Sequence, residues 1–252
     1  MLDATKPDGT SQEPGLSQRF VRQPIKRYQN HELRDIVDDI IEEVEISVQA
    51  NGRYVGTLTC SPWDLEEMVI GYLSLKGIVR DWRDFVSIDI DVAGGCAEVL
   101  LKVDPENLDA LDLPMLESGL SLSPQKVIEL AALLEQGSSL FRMTGGVHSA
   151  ALVQGDEVLA RFEDISRHSA MDKLAGWCLL NGVDGHEKVL LFSGRVPFEI
   201  ITATIRLACP IIIARGAPTK LSVDLAEKHG VTVIGFAKQQ QFNVYTHAER
   251  VL

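Results

Sequence analysis

Long apolar segments are scarce in this chain of 252 residues, although 45% of the residues are hydrophobic. No stretch approaches the run of about 20 apolar residues that a membrane helix requires. The longest runs, such as residues 210–214, have the length of a strand. Residues 1–14 also lack the basic segment followed by an apolar segment that marks a signal peptide. We therefore expect neither a membrane span nor a secretion signal.

Cysteines are few, and their spacing suits neither disulfides nor a metal. There is no C-x-x-C pair, and the H-x-E and P-C-x-x-C signature of zinc deaminases is missing. The four cysteines are Cys60, Cys96, Cys178 and Cys209. Scattered cysteines are typical of a reducing compartment, which predicts a cytoplasmic protein without a protein-ligated metal. Cys178 and Cys209 fit core positions. Cys60 precedes a predicted helix start, where a thiol pKa can fall, and is the remaining candidate nucleophile.

Basic residues are outnumbered, 24 against 36 acidic ones, which gives a formal net charge of −12. An acidic chain gains nothing from counterion release on a polyanion, so nucleic acid is not expected as a partner. An anionic ligand would have to be bound locally, by a few Arg and Lys side chains or by helix N-termini.

The apolar periodicity predicts an α/β protein (α+β overall) with two lobes. We expect residues 1–36 to form a flexible or loosely docked N-terminal arm, residues 37–123 a small α+β lobe, and residues 124–252 a larger α/β lobe. Regular structure is predicted to begin near Glu42. In the larger lobe, short β-branched strands alternate with helices, and the last strand spans 231–235. This alternation favours a sheet covered on both faces.

Local signals place two elements of the small lobe. Asn51-Gly52, between two alternating segments, predicts a hairpin. Ser61 and Pro62 predict the N-cap and first turn of a helix that Gly77 ends.

The densest polar segment, Arg161 to Lys173, falls where a strand gives way to a helix, a common place for a ligand crevice. His168 and Asp172 are four residues apart and share a helix face, so Asp172 could orient His168 or raise its pKa. Arg167 and Lys173 could meet an anion near the helix start. A solvated, ion-paired helix start explains the same pattern equally well.

Two further segments follow or precede predicted strands. Ser193-Gly194-Arg195 places an arginine after a buried strand, and Thr144 to His148 places paired glycines beside a histidine. Each has a plain structural explanation as a loop. Because the topology would bring all three segments to one edge of the sheet, together they favour a ligand site.

These segments match the motifs of a known family. Arg161 to Gly176 resembles the R-x-E-D-V-G-R-H-N-A-x-D-K-x-x-G block of the FdhD family. Thr144 to His148 resembles T-G-G-x-H, and Ser193 to Glu199 resembles S-G-R-x-x-x-E. The segment 235–246 is similar to G-F-x-R/K with F-N-x-Y-T. The chain is identified, past residue 40, as a member of the formate dehydrogenase accessory sulfurtransferase (FdhD) family.

The resemblance implies a function. Family members carry sulfur from a cysteine desulfurase to the molybdenum of the bis(molybdopterin guanine dinucleotide) cofactor, before that cofactor enters apo-formate dehydrogenase. It also implies a homodimer and a C-terminal lobe of the cytidine deaminase fold without zinc. The residues then expected to contact the cofactor are Gly235, Phe236, Ala237, Lys238, Gln239, Gln240, His148, Arg167, His168, Asp172, Lys173, Arg195 and Asn243.

The chain departs from the family at its sulfur-carrying loop. Where the family has C-G-x-C, this chain has Ser118-Gly119-Leu120-Ser121, and a serine hydroxyl cannot form a persulfide. A lesser departure is Lys76, where the family usually has Glu. Several hypotheses stay open: a cofactor-binding chaperone without sulfur transfer, a sulfurtransferase using another thiol such as Cys60, a regulatory partner of a cysteine-bearing paralogue, or an engineered replacement of both cysteines.

Overall fold

The first two described strands form a hairpin that is a sheet of its own. A computed structural model describes residues 19–105, 113–238 and 240–252. In the hairpin, β1 (Val21–Gln29) and β2 (Glu32–Ile40) pair in antiparallel register around a turn in which Asn30 and His31 both have positive φ. The prediction that regular structure starts near Glu42 was wrong. Most side chains of both strands are exposed, so no alternation of apolar and polar residues marks them.

The small lobe is a four-stranded sheet with one helix packed against it. Its strands lie in the order β4-β3-β6-β5. The elements are β3 (Val44–Ala50), β4 (Arg53–Cys60), α1 (Leu65–Leu75), β5 (Phe85–Asp91) and β6 (Cys96–Leu101). The predicted hairpin at Asn51-Gly52 is confirmed, since both residues adopt the positive φ that such a turn requires. The predicted helix end at Gly77 is confirmed by its φ of +80°.

The larger lobe is a six-stranded mixed sheet between helices. Its order is β12-β11-β10-β9-β7-β8, and β9, β10 and β11 are parallel. The elements are α2 (Pro124–Gln136), α3 (Ser139–Thr144), β7 (His148–Gln154), β8 (Glu157–Asp164), α4 (Arg167–Asn181), β9 (Val189–Phe192), α5 (Phe198–Arg206), β10 (Ile211–Ala214), α6 (Lys220–His229), β11 (Thr232–Lys238) and β12 (Gln241–Val244). One face packs on α4, α5 and α6, and the other packs on α2. The predicted α/β class is confirmed.

The two lobes meet along α1 and α4, whose backbones approach closely at two glycines. A Cβ on Gly71 would collide with the backbone of Asp172, and a Cβ on Gly176 would collide with the carbonyl of Glu67. Side chains of larger residues would force the helices apart, so these glycines set the distance between the lobes.

Two local predictions for the small lobe differ from the structure. The N-cap of α1 is Asp64, with φ of 50°, and not Ser61. Ser61 is instead buried, where its amide donates to Asp164 at 3.0 Å and its hydroxyl accepts from the Ile165 amide at 3.2 Å. The described part of the connector, residues 113–123, also belongs by its packing to the larger lobe. Leu116 lies in that lobe's core, and the Leu122 amide donates to the Arg250 carbonyl.

Within the described residues, no helix is both long enough and apolar enough to cross a bilayer.

Candidate anion-binding site at the carboxyl edge of the sheet

Polar residues gather where β9 and β10 end and where β7 begins. Because β7 runs antiparallel to β9, its first residue, His148, lies at the same edge as Ser193, which follows β9. Ser193 Oγ accepts a hydrogen bond from the Ser149 amide at 2.8 Å and lies 3.3 Å from His148 Nδ1. The serine thus ties the imidazole to the end of the neighbouring strand.

Arg167, the first residue of α4, brings a guanidinium group to the same edge. It packs over Gly194, where an added Cβ would lie 3.3 Å from both Cβ and Cδ of the arginine. Its Nε atom is buried and has no hydrogen-bond partner among the described residues. A buried N–H without an acceptor is costly, so this donor is placed to receive an acceptor from outside the protein. The alternative of an ion-paired helix start describes Lys173, which pairs with Asp164, but not Arg167, for which no ion pair with a described residue is found.

The two histidines of the site are held in the neutral form. Burial, and then the charge of Arg167, lower the pKa of His148. The same two causes, in the same order, lower the pKa of His168, while Glu199 opposes them. The imidazoles therefore offer hydrogen bonds, and the fixed positive charge comes from arginine.

The same edge continues to β11 and β12. Gly216, after β10, packs against the backbone of Gly194 and Arg195, and its carbonyl lies 3.4 Å from the amide of Phe236. Phe236 has a φ of 53° and is 40% exposed. Asn243 of β12 lies opposite Gly235. We call Arg167, His148 and Ser193 the Arg167 cluster. The loops around Gly194 and Gly216 lie between this cluster and the predicted segment on β11.

A cavity of about 380 Å³ opens beside His148. Gly146, Ser193 and Arg215 contribute to its wall, together with Phe141 from α3. The imidazole of His148, the hydroxyl group of Ser193 and the guanidinium group of Arg215 form a surface suited to phosphate or another oxyanion.

Two predicted ligand-binding residues turn away from this edge. Lys173 is fully buried, with its Nζ 2.7 Å from Asp164 Oδ2 and 5.2 Å from the centre of the Trp63 ring. Asp172 faces the other lobe, and no hydrogen bond joins it to His168. The expectation that Asp172 raises the pKa of His168 was wrong, since that pKa is lowered. Helical spacing places these residues correctly on α4 but does not reveal that their face is buried against α1.

The serines at the family's cysteine positions lie at the opposite edge of the sheet. Ser118 Oγ accepts from the Leu120 amide at 3.1 Å, and the connector pairs with residues near the start of β11 and the C-terminus. Ser118 is half-buried and Ser121 is exposed. The structure therefore separates this loop from the Arg167 cluster by the length of the parallel strands.

Cys60 is not an accessible nucleophile in this structure. It is fully buried, and burial together with the charge of Asp164 raises the pKa of its thiol to about 12. The prediction of a lowered pKa assumed a helix start at Ser61, whereas α1 begins at Leu65. Burial likewise raises the pKa of Cys178 to about 12 and that of Cys209 beyond its usual range.

The remaining predicted residues lie on or beside β11. Lys238 and Gln240 are exposed, Ala237 is buried, and Gln239 lies outside the described residues. Sequence reasoning missed Arg215, which follows β10 as Arg195 follows β9, so the same strand-end pattern could have found it. It also missed Glu163, whose Oε1 atom is buried without a partner among the described residues.

Comparisons with known proteins agree with this architecture. The profile of the FdhD/NarQ family matches residues 41–114 and 96–252. The sulfur carrier protein FdhD of Bacillus subtilis (strain 168) is 35% identical over 251 residues, covering 90% of this chain and 95% of the relative. The sulfur carrier protein FdhD of Staphylococcus haemolyticus (strain JCSC1435) is 33% identical over 252 residues, covering 91% of this chain and 96% of the relative.

One solved structure is similar in fold. The crystal structure of a candidate formate dehydrogenase accessory protein from Desulfotalea psychrophila aligns with a TM-score of 0.81 and 23% identity. The alignment covers 93% of this chain and all of the other chain.

Proposed function

This chain belongs to the FdhD/NarQ family, and from that premise we propose that it is a formate dehydrogenase accessory protein that binds the bis(molybdopterin guanine dinucleotide) form of the molybdenum cofactor. The main support is the buried Nε atom of Arg167, which lacks a partner among the described residues at the carboxyl edge. The cofactor is cargo here, and its phosphate groups supply the acceptors that this donor lacks.

The charge distribution supports an anionic cargo at this edge. The chain as a whole carries a net charge of −12, so an anion is repelled by much of its surface. Arg167, Arg195 and Arg215 provide local positive charge, and neutral His148 can donate or accept a hydrogen bond. In this arrangement the arginines would bind phosphate oxygens, and the exposed segment around Phe236 would contact the guanine end.

Two candidate functions differ in whether the protein itself carries sulfur. Family resemblance implies that the protein supports sulfuration of the cofactor, in association with a cysteine desulfurase. A cofactor-binding chaperone or regulatory protein that carries no sulfur itself is favoured by the thiols of this chain. Cys60, Cys178 and Cys209 are buried with raised pKa values, and Ser118 and Ser121 replace the family's cysteines.

The cellular setting follows from the same proposal. The protein would work in the cytoplasm, where reduced thiols persist, as a homodimer that delivers the cofactor to apo-formate dehydrogenase.

Cofactor binding is tested by calorimetric titration with guanosine diphosphate, which carries the guanine and phosphate groups of the cofactor. Arg167→Ala and Arg195→Ala should each weaken binding by roughly tenfold or more, because each removes charged hydrogen bonds to phosphate. Arg83→Ala, which alters an exposed arginine of the small lobe, is the matched control and should bind like the wild type. Failure of the wild type to bind, or equal losses in all three variants, would refute the proposal.

Sulfur carriage is tested separately by incubating the protein with a cysteine desulfurase and cysteine, followed by intact-mass spectrometry. The chaperone candidate predicts no added sulfur on the wild type. The double variant Ser118→Cys and Ser121→Cys should gain sulfur and serves as the positive control. Added sulfur on a wild-type thiol, mapped to Cys60 or Cys96 by peptide analysis, would instead support direct sulfur transfer.

A further inference from the structure

A second cavity, of about 290 Å³, lies at the junction of the two lobes. Its walls are mostly apolar and come from β4, α1, α4 and α5, including Leu58, Leu75, Met171 and Phe198. It is distinct from the cavity beside His148, but His168 lines it and interacts electrostatically with His148. The two cavities share no lining residue, but the charges of Arg167 and His148 act on His168.

Asp172 supplies this cavity with an unsatisfied carboxyl group. Its side chain lines the cavity although the residue is only 8% exposed. No described residue forms a hydrogen bond or an ion pair with the carboxyl group. The hydroxyl groups nearby are engaged elsewhere, since Thr202 donates to the Phe198 carbonyl at 2.9 Å and Tyr72 donates to the Val55 carbonyl at 3.4 Å.

A buried carboxyl group of this kind is satisfied by a ligand that brings N–H donors. Lys76 and Glu199 both line the cavity and offset each other's charge, and the apolar walls would desolvate a charged ligand. A neutral flat ring avoids that penalty, and its faces can pack against the apolar walls and Phe198. An amino group next to a ring N–H can donate two parallel hydrogen bonds to a carboxylate, and these bonds would favour the ionised form of Asp172 over the protonated form that burial favours without a ligand.

We propose that the interlobe cavity binds a flat heteroaromatic ring whose adjacent amino and ring N–H groups pair with the carboxyl group of Asp172. Guanine and pterin rings both present this edge. Since the charge of Arg167 acts on His168 of this cavity, one ligand could place its ring here and its phosphate groups beside Arg167. This last step rests on the proposed function, in which the pterin part of the cofactor would enter the interlobe cavity.

The direct test is a fluorescence titration of the full-length protein with free pterin, which carries no phosphate. The comparison ligand is lumazine, in which an oxo group replaces the amino group. Pterin should bind the wild type, and lumazine should bind at least tenfold more weakly. Asp172→Asn, which keeps the shape of the side chain but presents an N–H group to the ligand, should weaken pterin binding at least tenfold. Asp156→Asn, at an exposed carboxylate, should not change it.

The remaining outcomes separate the two proposals. Pterin that binds the wild type and Asp172→Asn equally, or that does not bind the wild type, would overturn the interlobe ring site. Arg167→Ala should bind guanosine diphosphate more weakly but should still bind pterin. Loss of pterin binding in this variant would also contradict a separate ring site. If guanosine diphosphate does not bind the wild type while pterin does, the ring site stands and the proposed cofactor function fails.

Discussion

Asp172 and Lys173 are adjacent on α4 and were both predicted to contact a ligand, yet the structure gives them different surroundings. Lys173 is fully buried and forms an ion pair with Asp164, which also accepts a hydrogen bond from the Ser61 amide. Asp172 lines the interlobe cavity without a partner among the described residues. A sequence shows that both are charged, but only the packing of α1 against α4 decides which charge is matched.

Replacing Lys173 with methionine should destabilise the protein by about 3–5 kcal/mol, because it leaves Asp164 as a buried charge without its cation. Chemical denaturation at neutral pH measures the free energy of unfolding. Lys26→Met, which breaks an exposed ion pair with Asp35, is the control and should change that free energy by less than about 1 kcal/mol. Similar values for the two variants would show that the Lys173–Asp164 pair adds little to stability.

Burial, assisted by the charge of Asp164, raises the pKa of Asp172 to about 8, and Lys76 opposes the shift. The folded protein then keeps a proton that the unfolded chain releases between about pH 4 and about pH 8. The free energy of unfolding should therefore fall as pH rises through this window, by at most about 1.4 kcal/mol per pH unit from this group.

Asp172→Asn should remove that contribution, so its stability relative to the wild type should increase from about pH 5 to about pH 8. Urea denaturation at several pH values checks the difference. The other titratable groups near Asp172 are common to both proteins, and they are Tyr72, Lys76, Asp164, His168 and Glu199. A difference that stays constant with pH would mean that Asp172 is ionised in the folded protein.

At the scale of elements, turns and helix ends were predicted correctly where a single residue type is required at a single backbone position. The Asn51-Gly52 turn and the end of α1 at Gly77 are examples, since these residues adopt the positive φ that each place requires. Buried strands such as β9 and β10 appeared as short β-branched or aliphatic segments. The elements β1, β2, α3 and β12 were missed because they are short or exposed, so no apolar period identifies them.

Gly176→Ala should separate α1 from α4, because the new methyl group would overlap the Glu67 carbonyl. Overpacking of this kind typically costs about 1–3 kcal/mol, and the contact with backbone favours the upper end. Thermal or urea unfolding measures the loss. The matched control is Gly119→Ala, since a Cβ there meets no atom within 4 Å. Equal stability of both variants would show that the helices can shift without penalty.

At the scale of the molecule, the carboxyl-edge site could be predicted because parallel strands end at one edge of a sheet. The sequence placed His148, Arg167 and Arg195 at or beside strand ends, and the structure has them there, whereas His168 lines the interlobe cavity. The position of the Ser118 loop could not be, because its contacts with the start of β11 and the C-terminus join residues far apart in sequence. The interlobe cavity could not be predicted either, because its walls come from both lobes and depend on how closely α1 packs against α4.

The hairpin of β1 and β2 is the surface through which we expect the proposed homodimer to form. One face exposes Tyr28, Leu33 and Val37, which are 66%, 66% and 62% exposed. Residues 21–40 contain four basic and four acidic side chains, so the hairpin is neutral in a chain of net charge −12. A second acidic copy therefore meets no net charge at the hairpin itself, and the mixed charges suit a self-complementary contact.

Replacing Tyr28, Leu33 and Val37 with serine should convert dimers to monomers, because the apolar contact is lost. Light scattering on size-exclusion fractions reports the mass. Val86→Ser with Leu100→Ser, at exposed apolar positions of the small lobe, is the control and should leave the mass unchanged. A monomeric wild type, or a triple variant that remains dimeric, would exclude the hairpin as the interface.

The glycine contacts between α1 and α4 also bear on how the molecule can move. Helices in backbone contact at Gly71 and Gly176 leave little room to rotate about each other, so we expect the two lobes to move as one body rather than to open at this junction. The interlobe cavity would then change its shape through side-chain rotations, which are faster than the closure of a domain.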